Sequence, residues 1–329
     1  MKATLKPRIN LENRPKLEEL IPLATPFVVF VDPSSACNFK CIFCPTGHRE
    51  LIEATGRYQG VMKVDVFRKV LDDLMEFPEP IKVLRLYKDG EPFLNKNLAL
   101  MVSMAKKSGR VGFIDTTTNG ALMTPDRVGP VLEAGIDRIN VSVEGLDITT
   151  YKHVAGVGYD PQCLVENLKW ISENKGDCEI MVKIVGLPAA QHQQFYDMFG
   201  DFCDRIAIEN IVPCWPEFEQ SSPILGGLYG QEPSRVEVCP YIFYAISVNA
   251  DGQVSACFQD WKRELVLGDV RTQTLQSIWD GEALRNLRLL HLEARRCEKP
   301  LCSNCGQLTH CMADNLDPYR EEIMARLRP

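Results

Sequence analysis

Short runs of β-branched and aromatic residues alternate with longer amphipathic segments through the first two thirds of the chain. The runs predict six strands, at residues 27–31, 81–87, 112–117, 138–144, 180–185 and 206–212. Apolar residues three or four positions apart predict the intervening helices, at residues 63–75, 94–107, 125–134, 161–173 and 191–203. Repeated strand-then-helix units favour parallel strands with right-handed crossovers. We therefore predict an α/β fold: a partial (β/α)6 barrel whose working loops follow the carboxyl ends of the strands.

The pattern changes past residue 215. A stretch rich in Pro, Gly and Ser without clear period is typical of a linker or of a loop over the barrel mouth. Runs at 241–250 and 254–258 then flank Asp251-Gly252, which predicts a β-hairpin, and helical segments follow at 274–291 and 319–327. The predicted domains are an N-terminal extension (1–26), the barrel (27–215), a linker (216–238) and a small C-terminal domain of hairpin plus helix (239–329). Metal ligation would supply the stability that so few elements cannot supply by packing.

Composition limits the class of protein. The chain has 329 residues, 45% hydrophobic and 25% charged, which excludes a largely disordered protein. Its net charge of −7 does not favour a nucleic-acid partner. The N-terminus lacks the apolar core of a secretory signal, and no run approaches the 18 apolar residues of a membrane span, so we expect a cytoplasmic protein without membrane contact. Thirteen cysteines in a reducing compartment indicate metal ligands or redox groups rather than disulfides.

Three cysteines lie close together directly after the first predicted strand, at Cys37, Cys41 and Cys44. This C-x3-C-x2-C spacing lets three thiolates converge on one iron–sulfur cluster and leaves a fourth iron open. An open metal position is where catalysis takes place. A zinc site or unrelated buried thiols are the alternatives.

Further motifs follow the next predicted strands. Gly90-Glu91-Pro92 comes after the second strand, Thr118-Asn119-Gly120 after the third, and Ser142-Val143-Glu144 ends the fourth. With the C-x3-C-x-Φ-C loop, in which Phe43 is the apolar residue, this order resembles the radical S-adenosylmethionine (SAM) superfamily. Asp89 stands where the family's GGEP-type element has its first glycine.

The resemblance implies cofactors and residue roles. The cluster at the three cysteines would be a [4Fe-4S] cluster that binds SAM through its open iron and, given one electron, cleaves it to a 5′-deoxyadenosyl radical. That radical would take a hydrogen atom from the substrate. The residues expected to bind SAM are Phe43, Gly90, Glu91, Pro92, Thr118, Asn119, Ser142 and Glu144. An external one-electron reductant such as flavodoxin or ferredoxin would be a partner.

A second group of cysteines lies in the C-terminal region, at Cys239, Cys257, Cys302 and Cys305. It resembles the auxiliary-cluster modules known as SPASM domains and, in shortened form, twitch domains. The resemblance implies one auxiliary [4Fe-4S] cluster held by four thiolates, which would serve as an electron relay or acceptor. The longer SPASM form holds two clusters with seven cysteines. Here that set is incomplete, because Asn315 takes the place of its next cysteine, while Cys297 and Cys311 remain possible substitute ligands.

The other cysteines and two lysines complete the candidate residues. Cys163, Cys178 and Cys203 fall in or beside predicted helices and strands, and we expect them to be buried structural residues. Cys214 follows the last predicted strand and is a candidate hydrogen-atom donor. The candidate basic residues at the barrel mouth are Lys183 and Lys88, from an otherwise apolar strand and from the turn before Gly90.

The resemblance also bears on the substrate. Enzymes of this group that modify ribosomal peptides commonly have a separate N-terminal recognition domain, whereas only 26 residues precede the first predicted strand here. The shortened cluster domain is better known from aminocyclitol dehydrogenases, and related enzymes epimerise sugars. We therefore expect dehydrogenation or epimerisation of a hydroxylated small molecule, a sugar or cyclitol. A peptide maturase that forms thioether or C–C crosslinks is one alternative, and a non-catalytic iron–sulfur electron carrier is another.

Overall fold

The computed structural model describes residues 1–8, 14–218, 226–311 and 314–328. Within these ranges the strands are β1 (Thr4–Leu5), β2 (Val28–Val31), β3 (Ile81–Arg85), β4 (Val111–Thr118), β5 (Arg138–Val143), β6 (Glu179–Val185), β7 (Arg205–Glu209), β8 (Ala245–Val248), β9 (Gln253–Ser255) and β10 (Val266–Asp269). They join one sheet in the order β1-β7-β6-β5-β4-β3-β2-β8-β9-β10.

Helices connect most of these strands. The described helices are α1 (Leu17–Leu20), α2 (Arg49–Thr55), α3 (Val64–Leu74), α4 (Leu98–Ser108), α5 (Pro125–Glu133), α6 (Ile148–Val154), α7 (Pro161–Asn174), α8 (His192–Phe199), α9 (Tyr241–Tyr244), α10 (Leu275–Trp279), α11 (Glu282–Leu292), α12 (Pro300–Ser303), α13 (Gln307–His310) and α14 (Arg320–Leu327). None of them combines the length and apolar character that a bilayer crossing requires.

The six central strands form the predicted partial barrel. β2 to β7 are consecutive in the sheet, all pairs are parallel, and a helix covers each crossover. Alternation along β2 separates the two faces, because Val29 and Val31 join the large core while Val28 and Phe30 join a small separate cluster with Ala245. The α/β fold expected from the sequence is therefore confirmed.

The concave face of this sheet is unusually polar. Register aligns Arg85 with Asp115, and Asp115 with Arg138, across neighbouring strands. Arg85 forms an ion pair of 3.3 Å with Asp115, and Lys183 one of 2.6 Å with Glu209. Charged side chains that share one face of a parallel sheet line the space enclosed by its curvature, so this face provides a polar interior.

Two predicted elements of the C-terminal region differ from the structure. The predicted strand at 241–250 begins instead with α9, because Pro240 lies in the helical region and its carbonyl accepts a hydrogen bond from Phe243 N. The predicted helix at 274–291 is two helices, α10 and α11, separated at Asp280-Gly281, where Gly281 adopts an extended conformation.

The C-terminal region shares the core of the barrel. β8 pairs in parallel with β2, from Val28 against Ala245 to Val31 against Val248, so the predicted hairpin of β8 and β9 extends the main sheet. The indole N–H of Trp279 also donates a hydrogen bond of 2.9 Å to the Leu23 carbonyl. This region is thus stabilised by packing as well as by any metal. The predicted 216–238 linker lies partly outside the described residues, because it includes 219–225.

Candidate active site

The loop with Cys37, Cys41 and Cys44 lies at the carboxyl end of β2. Its backbone is fixed to the segment after α6, where Lys40 N donates to Ala155 O at 2.8 Å and Ile42 N donates to Val154 O at 2.9 Å. All three thiols are half-buried, and Phe43 between them is half-buried as well.

These three thiols lie near one another. Burial raises the pKa of Cys41 far above its usual value, and the charges of Cys44 and Cys37 raise it further. Burial likewise raises the pKa of Cys37 to about 12. Neighbouring buried thiolates are therefore stable only with a positive group among them, which a metal cluster supplies.

The donor set of this loop is three thiols. Among the described residues, no three or more His, Cys, Asp or Glu side chains converge tightly enough to hold one metal ion. Structural zinc sites are closed by four donors, whereas this loop brings three thiols together, so its donor set leaves one position open.

The turn after β3 packs directly against the cysteine loop. A side chain at Gly90 would place its Cβ 2.1 Å from Ala36 O, so only glycine fits there. The buried Glu91 carboxylate accepts hydrogen bonds from Phe93 N (3.0 Å), Thr118 Oγ1 (2.7 Å) and Asn119 N (2.8 Å). Glu91 therefore joins the second and third motifs to each other, and Pro92 begins a buried 3-10 turn beside it.

Asn119 connects the third motif to the cysteine loop. Its Nδ2 donates a hydrogen bond of 2.8 Å to Asn38 Oδ1 and lies 3.8 Å from Cys37 Sγ. Thr118 is buried in this arrangement. The motif residues that the sequence separates by up to 82 positions thus meet at one edge of the sheet.

Ser142 and Glu144 end the fourth predicted strand on the same edge. Ser142 is half-buried and pairs in register with Lys183. Burial raises the pKa of Glu144 to about 7, although the Lys183 ammonium opposes the shift. Glu144 also contributes to the raised pKa of Cys41, so its carboxyl group lies near the cysteine loop.

Lys183 faces Glu209, a residue that sequence reasoning missed. The Lys183 ammonium lies 2.6 Å from Glu209 Oε2, with 15% and 3% of the two side chains exposed. The signal was available, because Glu209 is a charged residue in an apolar strand, as Lys183 is. Its pairing partner could not be read from the sequence, since the register of β6 against β7 is tertiary information.

Lys88 does not act as a free base in this structure. Its side chain is fully buried, and its Nζ donates to both carboxylate oxygens of Asp89 at 3.1 Å and to Asp260 O at 3.4 Å. Burial lowers the pKa of Lys88, whereas Asp89 opposes that shift. The sequence-based proposal of Lys88 as a basic residue at the mouth is replaced here by a buried ion pair.

The four C-terminal cysteines also lie together. Burial raises the pKa of Cys239 to well above its usual range, and Cys305 and Cys302 raise it further. Burial also raises the pKa of Cys257, and the charges of Cys239 and Cys305 raise it further. His291 Nδ1 accepts a hydrogen bond of 3.2 Å from Cys239 N and so fixes the first of these residues.

The remaining cysteines differ in position. Cys297 and Cys163 are exposed, so the expectation of a buried Cys163 is wrong: it lies in the first turn of α7, on the side facing solvent. Cys178 and Cys203 are buried, as expected. Cys311 is buried, and its pKa is raised by burial and then by Cys214 and Cys305.

Cys214 lies between the two cysteine groups. Burial raises the pKa of its thiol to about 12, and the next contribution comes from Cys44 and a smaller one from Cys305. The backbone beside it touches the second group, because a Cβ at Gly306 would lie 2.0 Å from Pro213 O. Cys214 is therefore a protonated thiol at neutral pH, near both groups.

Comparison with curated proteins gives relatives along most of the chain. The tungsten-containing aldehyde ferredoxin oxidoreductase cofactor-modifying protein of Pyrococcus furiosus is 24% identical, over 86% of this chain and 88% of its own. The SAM-dependent 2-deoxy-scyllo-inosamine dehydrogenase of Niallia circulans is 22% identical, over 86% and 93%. A probable GTP 3′,8-cyclase of Methanococcus maripaludis is 31% identical, over 75% of each chain.

Solved structures show the same fold. BtrN in complex with AdoMet and 2-DOIA matches with a TM-score of 0.55 at 19% identity, over 88% of this chain and 97% of its own. Streptococcus suis SuiB bound to its precursor peptide SuiA matches with a TM-score of 0.64 at 14% identity, over 90% and 74%.

Two family models match the chain. The model of an iron–sulfur cluster-binding domain, SPASM, matches residues 239–306, which include all four C-terminal cysteines. The model of the radical SAM superfamily matches residues 31–202, which is more than half of the chain and includes the three-cysteine loop. The cofactors of this chain are accordingly SAM, the [4Fe-4S] cluster of the superfamily and an auxiliary [4Fe-4S] cluster. The chain belongs to the radical SAM superfamily and carries a C-terminal SPASM region.

Proposed function

We propose that this radical SAM enzyme dehydrogenates a hydroxylated small molecule, a sugar or cyclitol. The observation that supports this proposal is the polar interior of the barrel. Three side-chain atoms there are buried without a hydrogen-bond partner among the described residues: Asp115 Oδ1, Thr117 Oγ1 and Asn140 Oδ1. Leaving buried acceptors unpaired costs about 1–3 kcal/mol each, so a ligand or water must supply donors.

A polyol matches these atoms well. Two of the three are acceptors only, and register places Thr117 next to Asn140 on neighbouring strands. Hydroxyl or amino groups around a sugar or cyclitol ring supply several donors within a small volume. The names of two relatives bear on this class. One relative, an inosamine dehydrogenase, fits it, whereas another, a GTP cyclase, does not.

The proposed ligand sets follow the two cysteine groups. Cys37, Cys41 and Cys44 would hold the cluster that binds SAM, and Cys239, Cys257, Cys302 and Cys305 the auxiliary cluster. When bound, the first cluster and SAM supply a radical that removes one hydrogen atom from an unactivated C–H bond. The proposed SAM pocket consists of Phe43, Gly90, Pro92, Thr118, Asn119, Ser142 and Glu144, with Glu91 holding its turns together.

Conversion of a secondary alcohol to a ketone removes one hydrogen atom, one proton and one electron. Glu144 is the proposed proton acceptor, since its pKa near 7 leaves a large fraction deprotonated at neutral pH. Lys183 would orient the substrate hydroxyl, because its side chain pairs with Glu209 at 2.6 Å on the polar face of the sheet, in register with Ser142.

The electron has a nearby acceptor. Four thiolates would fill every iron of the auxiliary cluster, which suits electron transfer rather than substrate binding. Cys214 lies near ligands of both groups, so the proposed substrate region is adjacent to the auxiliary ligands. An external reductant such as flavodoxin or ferredoxin would supply the electron for SAM cleavage in the cytoplasm.

The test is incubation of the anaerobically reconstituted enzyme with SAM, dithionite and a panel of sugars and aminocyclitols. Dehydrogenation predicts a product two mass units lighter, formed together with methionine and 5′-deoxyadenosine. The matched control is C37A/C41A/C44A, which should give neither. A crosslinked peptide formed by the same enzyme, or SAM cleavage without any small-molecule product, would contradict the proposal.

Epimerisation is the second candidate, supported by Cys214. A buried thiol that stays protonated at neutral pH is a good hydrogen-atom donor, and its proton exchanges with solvent. Reaction in D2O would then place one deuterium in a product of otherwise unchanged mass, and C214A would abolish that label. A product two mass units lighter from both wild type and C214A would exclude this candidate.

A further inference from the structure

Asp89 occupies the position at which the superfamily's GGEP-type element has a glycine, and its side chain is fully buried. Three cations surround it. Arg263 Nη2 lies 2.5 Å from Asp89 Oδ2, Lys88 Nζ lies 3.1 Å from both oxygens, and Arg57 Nη1 lies 3.7 Å from Oδ1. Burial by itself would raise the pKa of Asp89, but Lys88, Arg263 and Arg57 outweigh it and hold the carboxyl ionised.

Arg57 connects this carboxylate to the three-cysteine loop. Its Nη2 donates to Thr46 Oγ1 at 3.1 Å, and Thr46 Oγ1 donates to Asp89 O at 2.8 Å. Thr46 stands two residues after Cys44, so Arg57 reaches the end of the three-cysteine loop through this hydroxyl. Arg57 is thus a cation that pairs with Asp89 at the end of this loop.

Arg263 connects the same carboxylate to the auxiliary-cluster region. It lies six residues after Cys257, and its Nη1 donates to Asp260 O at 2.8 Å. Arg57 Nη1 and Lys88 Nζ reach this segment too, at Trp261 O and Asp260 O, each at 3.4 Å. Three cations from the barrel domain and the C-terminal region therefore meet on one acid.

The backbone of Arg263 supports a specific role for this contact. Its φ is +65°, a left-handed conformation that is unfavourable for a residue with a side chain and persists only where surrounding contacts impose it. Asp32, a second buried acid that directly follows β2, accepts a hydrogen bond of 3.3 Å from Asp89 N. One buried set of charges thus contains two acids, Asp89 and Asp32, and three cations, Lys88, Arg57 and Arg263.

We propose that Asp89 tunes the radical chemistry by its charge: its carboxylate, together with Arg57 at the end of the three-cysteine loop and Arg263 beside the Cys257 segment, sets the electrostatic environment of both cysteine groups. The inference rests on the proposed cluster ligands but not on the identity of the substrate. It explains why an acid can replace a glycine in this motif, since the C-terminal region supplies a matching arginine.

The test is a redox titration of the reconstituted enzyme followed by electron paramagnetic resonance, in which SAM binding identifies the signal of the cluster at Cys37, Cys41 and Cys44. D89N removes one negative charge with little change of shape, so the reduction potential of this cluster should rise. R57Q removes a positive charge, so the potential should fall. We expect at least a tenfold change in the ratio of reduced to oxidised cluster at a fixed potential, about 59 mV for one electron.

Opposite signs are the decisive feature, because a merely structural role would shift both variants in one direction or lose the cluster. D137N is the matched control: Asp137 also pairs with a lysine, Lys106 at 2.6 Å, but lies outside this set and should leave the potential unchanged. R263Q removes another positive charge of this set and should lower the potential as R57Q does; if D89N does not fold, a fall in both arginine variants with no change in D137N carries the inference. Equal potentials in wild type, D89N and R57Q would overturn the inference, whereas absence of the signal in wild type would overturn the ligand assignment itself.

Discussion

At the scale of single residues, the charged and polar side chains of the barrel interior form the proposed substrate site. The period of two along each strand places Lys183 on the same face as Ser142 and Ala207 of the neighbouring strands. A lysine in an apolar strand could be recognised from the sequence, but its partner Glu209 could not. The ammonium position depends on a strand register that only the folded sheet defines.

Lys183→Met tests the role of this ammonium. Without it Glu209 remains a buried carboxylate that has lost its closest partner, and substrate hydroxyls lose their orientation. We expect turnover of the small-molecule substrate to fall about 100-fold, while SAM cleavage without substrate persists. The control K169M changes an exposed lysine of α7. Turnover in K183M within twofold of wild type would show that Lys183 has no role in the reaction.

His291 makes stability depend on pH. Burial lowers its pKa from 6.5 to about 4, with a further contribution from Arg296. A histidine whose pKa is lower in the folded state stabilises the fold above pH 6.5, and this contribution is lost as the pH falls from 6.5 towards 4. Between pH 7 and pH 5, the free energy of unfolding measured in urea should fall by about 2 kcal/mol because of His291.

H291Q is the matched variant for that measurement, since a glutamine oxygen can accept the hydrogen bond from Cys239 N without titrating. The free energy of unfolding of H291Q should change less with pH than that of wild type, by the same 2 kcal/mol or so. Parallel curves for the two proteins would assign the acid sensitivity to other groups.

At the scale of elements, the central strands were predictable because their apolar runs are long and are bounded by turns. The C-terminal elements were harder. Tyr241 to Tyr244 have strand-forming side chains, yet they form α9 because Pro240 starts a helical turn. The parallel pairing of β8 with β2 could not be predicted either, since the two strands lie more than 200 residues apart.

Close backbone contacts between elements give a test at the same scale. Gly306 follows the proposed ligand Cys305, and a Cβ there would lie 2.0 Å from Pro213 O. Gly306→Ala should therefore push Cys305 away from Cys214 and cost about 1–3 kcal/mol in the free energy of unfolding. G158A is the control, because nothing lies within 4 Å of a Cβ at that glycine. Equal stability of G306A and wild type would contradict this contact.

At the scale of the whole molecule, the two cysteine groups belong to one structural unit. The sheet continues from β2 to β8, and one large core includes both Val29 of the barrel and Trp279 of the C-terminal region. The sequence showed which cysteines group together through their spacing. It could not show that Cys214 lies between the groups, or that Asp89 joins them, because both depend on contacts between distant segments.

Iron content of two cysteine variants tests the central claim, that the chain holds two separate clusters. Reconstituted wild-type enzyme should contain about eight irons and eight sulfides per chain, since each cluster holds four of each. C37A/C41A/C44A should retain about four irons and lose SAM cleavage, and C239A/C257A/C302A/C305A should also retain about four. Zinc in place of iron in the wild type, or loss of all iron from both variants, would contradict the account.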